Sequence, residues 1–176
     1  MRPVDDFGWR RSALIVGLVL IACVVQVVMV APLRLPGAPP DLLLLVVAAI
    51  ALVVGPLSGA VVGFAAGFTA DLVPPADHLL GRYALVFCLV GYGVGLLRNE
   101  ASDSVPISLA VVAAAAGSAT VLYGALGGLL GVERVSAQTL VGSVPWSIAY
   151  DVVLAPFVVP WVMSMMRRTN PTLARR

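Results

Sequence analysis

The sequence has no lysine, one histidine and two cysteines, and only 11% of its 176 residues are charged. A soluble domain carries about a quarter charged residues, so the chain is not a water-soluble domain. Its longest polar segments span about ten residues, too few to bury a core of their own, which excludes an ATPase, kinase or nucleic-acid-binding domain. Both cysteines, Cys23 and Cys88, lie inside apolar runs, so no disulfide framework is expected.

What the sequence has in abundance is apolar residues, which make up 60% of the chain. The apolar runs predict an all-α membrane protein: a single bundle over residues 1–176 with about six transmembrane helices. The approximate spans are 12–31, 41–55, 57–73, 80–97, 106–131 and 144–166, with short arginine-containing tails at 1–11 and 167–176. The second and third spans are short, so they either cross as tilted helices or form a re-entrant hairpin.

The arginines predict the orientation of the chain. With six crossings and a cytoplasmic N-terminus, eight arginines lie in cytoplasmic segments: Arg2, Arg10, Arg11, Arg98, Arg167, Arg168, Arg175 and Arg176. Arg34, Arg82 and Arg134 lie on the other side. Because basic residues accumulate on the cytoplasmic side of membrane proteins, we expect both termini to be cytoplasmic in a multi-pass protein of the bacterial plasma membrane.

Glycines recur every fourth residue in the third apolar run, at Gly55, Gly59, Gly63 and Gly67. Residues four apart lie on one face of a helix, and a face without side chains lets another helix approach closely. Gly91 and Gly95 form a similar pair in the fourth run. We expect these six glycines to form an interface, either between helices of the bundle or with a partner.

Four charged residues are expected near the outer end of the bundle: Asp41, Asp71, Arg82 and Asp151, with Arg82 in an outer loop. An aspartate in hydrocarbon is costly and should face the bundle, pair with a cation or be protonated. These residues either form an outward-facing polar pocket or docking surface, or Asp41 and Asp71 merely cap helices near the interface. Asp151 is the most informative of them because it lies within the sixth run.

The sequence offers no catalytic constellation. It has no His-Glu-x-x-His motif, and one histidine, His78, cannot build a metal site. Ser58 lies in Gly-Pro-Leu-Ser-Gly, which lacks the spacing of a Gly-x-Ser-Gly intramembrane nucleophile, and no intramembrane histidine is available as its base. We therefore expect no enzyme activity, no cofactor and no metal ion.

The stretch between Pro40 and Leu97 carries a family resemblance. It reads Pro-Asp-Leu-Leu-Leu-Leu, then Gly-Pro-Leu-Ser-Gly-Ala-Val-Val-Gly-Phe-Ala-Ala-Gly-Phe-Thr-Ala-Asp-Leu, then Gly-Arg-Tyr-Ala-Leu-Val-Phe and Val-Gly-Tyr-Gly-Val-Gly. This pattern resembles the MreD family of rod-shape-determining membrane proteins. The matching positions are Gly67, Asp71, Gly81, Ala84 and Leu85. The Pro74–His78 loop and the Arg82-Tyr83 pair depart from the family pattern.

The resemblance implies a non-enzymatic subunit of the elongation machinery that scaffolds lateral peptidoglycan synthesis and maintains cell shape. It implies MreC as the direct partner, with MreB, the glycosyltransferase RodA and a penicillin-binding transpeptidase nearby. The alternative is the substrate-binding membrane subunit of an energy-coupling-factor vitamin transporter, which is similar in size and binds its substrate near the outer face. The outer aspartates suit either function.

Overall fold

The computed structural model describes residues 5–30, 32, 39–73, 80–102, 105–129 and 137–168, and every regular element in these ranges is a helix. The predicted all-α class is therefore confirmed for this part of the chain. The helices are α1 (Asp5–Val25), continued by a π-helical segment (Gln26–Val30), α2 (Leu42–Val54), α3 (Pro56–Leu72), α4 (Arg82–Leu96), α5 (Arg98–Ser102), α6 (Val105–Leu129) and α7 (Ala137–Arg168). Arg34, His78 and Arg134 lie outside the described residues.

Three helical regions among the described residues are long and apolar enough to cross a membrane: Gly8–Val30, Pro106–Gly128 and Ile148–Arg168. The helices α2, α3 and α4 are apolar but shorter. α1 begins at Asp5 and α7 at Ala137, both earlier than the apolar runs predict. The difference arises because hydropathy marks only the part of a helix that suits hydrocarbon, whereas backbone hydrogen bonds continue the helix beyond it.

α2 lies at the centre of the bundle, in contact with α1, α3, α4, α6 and α7. Residues 43–53 are all buried, and the helix consists only of leucine, valine, alanine and isoleucine. A helix that is apolar on every side is stable where neighbours cover it all round. α2 is about 20 Å long, and its surroundings are protein helices.

The three short helices run back and forth between the same two ends of the bundle. α2 leads to Gly55, whose φ of +91° suits a residue without a side chain, and Pro56 then begins α3. α3 returns to Asp71, which contacts the start of α4, and α4 brings Gly95 back against Pro56. We call the two ends the aspartate end (Asp41, Asp71 and Asp151) and the arginine end (Gly55, Gly95 and Arg98).

Five of the six described arginines lie toward the arginine end of the bundle. Arg98 lies 3.5 Å from the position that a Cβ on Gly55 would take. α1 reaches the aspartate end at Gln26, so its arginines, Arg10 and Arg11, lie about 23 Å away toward the other end. α7 continues for about 25 Å beyond Asp151 to Arg167 and Arg168.

Candidate functional site

α3 and α4 make the most extensive contact of any two helices in the described chain, and their backbones touch directly. A Cβ on Gly59 would lie 2.6 Å from the carbonyl oxygen of Gly91, closer than real Cβ atoms approach. The same backbone contact joins Gly63 with Phe87, Gly67 with Tyr83, and Gly95 with Pro56. Any larger residue at these glycines would push the two helices apart.

The structure therefore places five of the six singled-out glycines inside the chain's own α3–α4 contact, and all five are buried. Gly55 has a different setting, because it forms the turn between α2 and α3 and has only the Arg98 side chain near its Cβ position. In this arrangement none of the five packing glycines lies on a surface that a partner helix could reach.

Asp71, the next residue of the glycine series, holds the beginning of α4. Its side chain is fully buried. Oδ2 accepts hydrogen bonds from the backbone N–H groups of Gly81 (2.9 Å) and Ala84 (3.1 Å), and Oδ1 accepts one from Tyr83 (3.3 Å). The first N–H groups of a helix have no partner within it, and Gly81 has no side chain to cap them. Asp71 supplies the missing acceptor from α3.

Asp41 and Asp151 meet at the beginning of α2. Asp41 caps the helix, since its Oδ1 accepts a hydrogen bond from the Leu44 N–H at 3.0 Å. The backbone N–H of Asp41 donates to Oδ1 of Asp151 on α7 at 2.8 Å. Asp151 is 1% exposed. Two carboxylates from distant parts of the chain thus share one site at the end of the central helix.

Gln26 completes this site from α1. Its Oε1 accepts a hydrogen bond from the Leu42 N–H and its Nε2 donates to the Pro40 carbonyl, both at 2.9 Å. Gln26 is also the first residue of the π-helical segment, a winding that is often found at functional sites. Gln26 is not among the residues singled out in the sequence, although a polar amide in an apolar run is costly without partners and could have identified it.

Arg82 does not lie in an outer loop, as the sequence had suggested, but is the first residue of α4 and is 4% exposed. Its Nε and Nη2 both donate to the Tyr123 carbonyl on α6, with Nε at 3.1 Å. The guanidinium carbon lies 3.6 Å from the centre of the Tyr123 ring. Gly127 makes room for the guanidinium, because a Cβ there would collide with it. A guanidinium with a carbonyl acceptor and an aromatic ring can be buried.

A cavity of about 260 Å³ opens beside the first turn of α2. Its polar lining residues are Gln26, Asp41, Tyr83, Thr120, Tyr123 and Asp151. We call it the aspartate cavity. The rings of Tyr83 and Tyr123, 4.5 Å apart, form part of its wall.

The four charged residues singled out in the sequence thus all lie at the aspartate end but have different surroundings. Asp41 and Asp151 line the aspartate cavity, whereas Asp71 holds α4 and Arg82 binds α6. No sequence pattern pointed to Tyr123, because its contact with Arg82 joins positions 41 residues apart. Within the described ranges, no three His, Cys, Asp or Glu side chains come together in a way that could hold a metal ion.

Comparison with known proteins identifies the family. A family model described as rod shape-determining protein MreD matches residues 10–169, which include both aspartates of the cavity and the whole α3–α4 contact. No curated protein and no solved structure matches the chain. The resemblance seen between Pro40 and Leu97 is confirmed and extends over nearly the whole sequence. The chain therefore belongs to the MreD family of rod shape-determining membrane proteins.

Proposed function

We propose that this protein is a non-enzymatic membrane subunit of the cell-elongation complex, which scaffolds lateral peptidoglycan synthesis and so maintains cell shape. The observation that carries the proposal is the family match over residues 10–169, which establishes involvement in rod shape determination. The family is part of the MreBCD system. The proposed direct partner is MreC, with MreB, RodA and a penicillin-binding transpeptidase reached indirectly.

The architecture supports a scaffolding role. Backbone contact between α3 and α4 and the enclosed position of α2 leave few ways for the helices to move relative to one another. The outward faces stay apolar, with exposed large residues such as Val28 on the π-helical segment, Leu57 and Phe64 on α3, and Phe157 on α7. Such faces suit lipid and the membrane helices of partners.

We also propose that the bundle crosses the plasma membrane six times, with both termini in the cytoplasm. The gathering of Arg98 and the arginines of α1 and α7 at one end supports this orientation, because cytoplasmic segments are enriched in arginine. α2 and α3 run between the same two ends of the bundle as α4, which favours two short crossings over a re-entrant hairpin.

Reporter fusions test this orientation. Fused after Arg176, green fluorescent protein is expected to fluoresce, and alkaline phosphatase is expected to be inactive, because it folds into an active form only outside the cytoplasm. As a control, alkaline phosphatase inserted within residues 74–79, in the predicted outer loop between α3 and α4, should be active. An active phosphatase at the C-terminus would rule out the proposed topology.

Partner capture tests the assignment to the elongation complex. After brief cross-linking in native membranes, the tagged full-length chain in mild detergent is expected to copurify with MreC and peptidoglycan synthases identified by mass spectrometry. An unrelated multi-pass protein with the same tag is the control. Recovery of ABC-type ATPases and a coupling membrane subunit, without wall-synthesis proteins, would instead identify the vitamin-transporter alternative.

A further inference from the structure

The aspartate cavity contains a carboxylate whose hydrogen bonding is incomplete. Asp151 is 1% exposed, and its Oδ1 accepts one hydrogen bond, from the Asp41 N–H. Among the described residues, no further donor and no cation contacts this carboxylate. A buried charged group normally has a full set of partners, because removing it from water is expensive. The cavity beside Asp151 is where the missing partner would lie.

The other polar groups of the wall indicate which chemistry this partner has. Asp41 contributes a second carboxylate, whose Oδ1 already caps α2. The Thr120 hydroxyl donates to the Ala116 carbonyl at 2.9 Å, so its oxygen is left as an acceptor toward other groups. The Tyr83 and Tyr123 rings add aromatic faces. Carboxylates, an acceptor oxygen and aromatic rings together favour a cation with several N–H donors and disfavour an anion.

The size and position of the cavity limit which cation could bind there. A volume of about 260 Å³ lies at the lower end of ligand pockets, which span about 300–1,000 Å³, so the bound group is small. Asp41 directly precedes α2, and Gln26 lies near the end of the candidate span Gly8–Val30. The cavity is therefore at the depth where a span ends and lipid headgroups begin.

We propose that the aspartate cavity binds a primary ammonium group, held between the carboxylates of Asp151 and Asp41. An ammonium group has three donors and a positive charge, which suit the acceptors of the wall. The group belongs either to the headgroup of an ethanolamine phospholipid or to a free small amine. Binding here does not depend on which proteins the chain assembles with.

The decisive variant is Asp151→Asn, tested on the purified full-length chain. Asparagine keeps an oxygen that can accept the hydrogen bond from the Asp41 N–H, so it removes the charge and keeps the contact with α2. Glu100→Gln is the matched control, because it makes the same chemical change at an exposed position on α5. Binding of phosphatidylethanolamine, phosphatidylcholine and phosphatidylglycerol is measured by native mass spectrometry. Binding of free ethanolamine is measured by calorimetry.

The wild-type chain and the Glu100→Gln variant are expected to bind phosphatidylethanolamine, free ethanolamine or both, and to retain phosphatidylcholine less, since its trimethylated nitrogen has no N–H donor. Asp151→Asn is expected to weaken this binding about tenfold or more, as the loss of a hydrogen bond to a charged group implies. Retention of the lipid alone identifies a headgroup as the source, and binding of ethanolamine alone identifies a free amine.

Three results would overturn the proposal: a wild-type chain that binds neither amine, equal retention of phosphatidylethanolamine and phosphatidylcholine, or equal losses in Asp151→Asn and Glu100→Gln. Size-exclusion chromatography checks that each variant is folded. If Asp151→Asn does not fold, Asp41→Asn takes its place with the same expected loss, because asparagine also caps helices well.

Discussion

The Gly63→Ala variant is expected to lose the native packing of α3 against α4, with a free energy of unfolding lower by about 3 kcal/mol. The added methyl group would lie against the carbonyl oxygen of Phe87 and 2.7 Å from its carbonyl carbon. Both are backbone atoms within a helix, so neither can rotate away as a flexible side chain would. The two helices must separate instead, and the contacts along their whole length weaken together.

Gly93→Ala is the matched control, because it places the same methyl group on α4 where nothing but the adjoining backbone of α4 lies within 4 Å. Alanine is more favourable than glycine in a helix by about 1 kcal/mol, so this variant should be neutral or slightly stabilised. The stability of both variants is measured on the purified chain in detergent, by circular dichroism during unfolding with denaturant or temperature. Equal stability of the two variants would show that α3 and α4 are not in backbone contact at Gly63.

The second large effect is expected for Asp71→Ala, which should lower the free energy of unfolding by about 3 kcal/mol or more, since each buried donor left unsatisfied costs about 1–3 kcal/mol. Three backbone N–H groups at the beginning of α4, those of Gly81, Tyr83 and Ala84, would lose their acceptor. Asp71 is fully buried, so water cannot easily replace it. We expect the first turn of α4 to unwind.

The Asp71→Asn variant changes the hydrogen-bond acceptors at position 71 while keeping the size of the side chain nearly constant. The carboxylate uses both oxygens as acceptors, Oδ2 for Gly81 and Ala84 and Oδ1 for Tyr83, whereas asparagine has one oxygen and places an NH₂ group against the remaining donors. The asparagine variant should therefore also be destabilised, but less than the alanine variant.

Glu100→Ala is the control for losing a carboxylate, because Glu100 is exposed on α5. The same unfolding measurement applies to all three variants, and amide hydrogen exchange at residues 82–85 reports directly on the first turn of α4. If Asp71→Ala exchanges there no faster than the wild-type chain, Asp71 does not hold the beginning of this helix.

The sequence by itself determined the class of the protein and which residues share one face of a helix. Sparse charge and long apolar runs are enough to predict a helical membrane protein, because hydrocarbon requires every backbone polar group to be satisfied within the segment. A glycine at every fourth residue identifies a helix face that can approach another helix, since the helical period is a local property. The quoted motifs also identified the family.

Only the tertiary structure decided which groups meet. The hydrogen bond between Asp41 and Asp151 joins residues 110 positions apart, and that between Arg82 and Tyr123 joins residues 41 apart. Neither follows from local spacing, so the sequence grouped four charged residues that the fold distributes over three separate contacts. The place of α2 was equally undecided, because an entirely apolar helix suits lipid and a protein interior alike. Its burial depends on how the surrounding helices pack, which is a property of the whole chain.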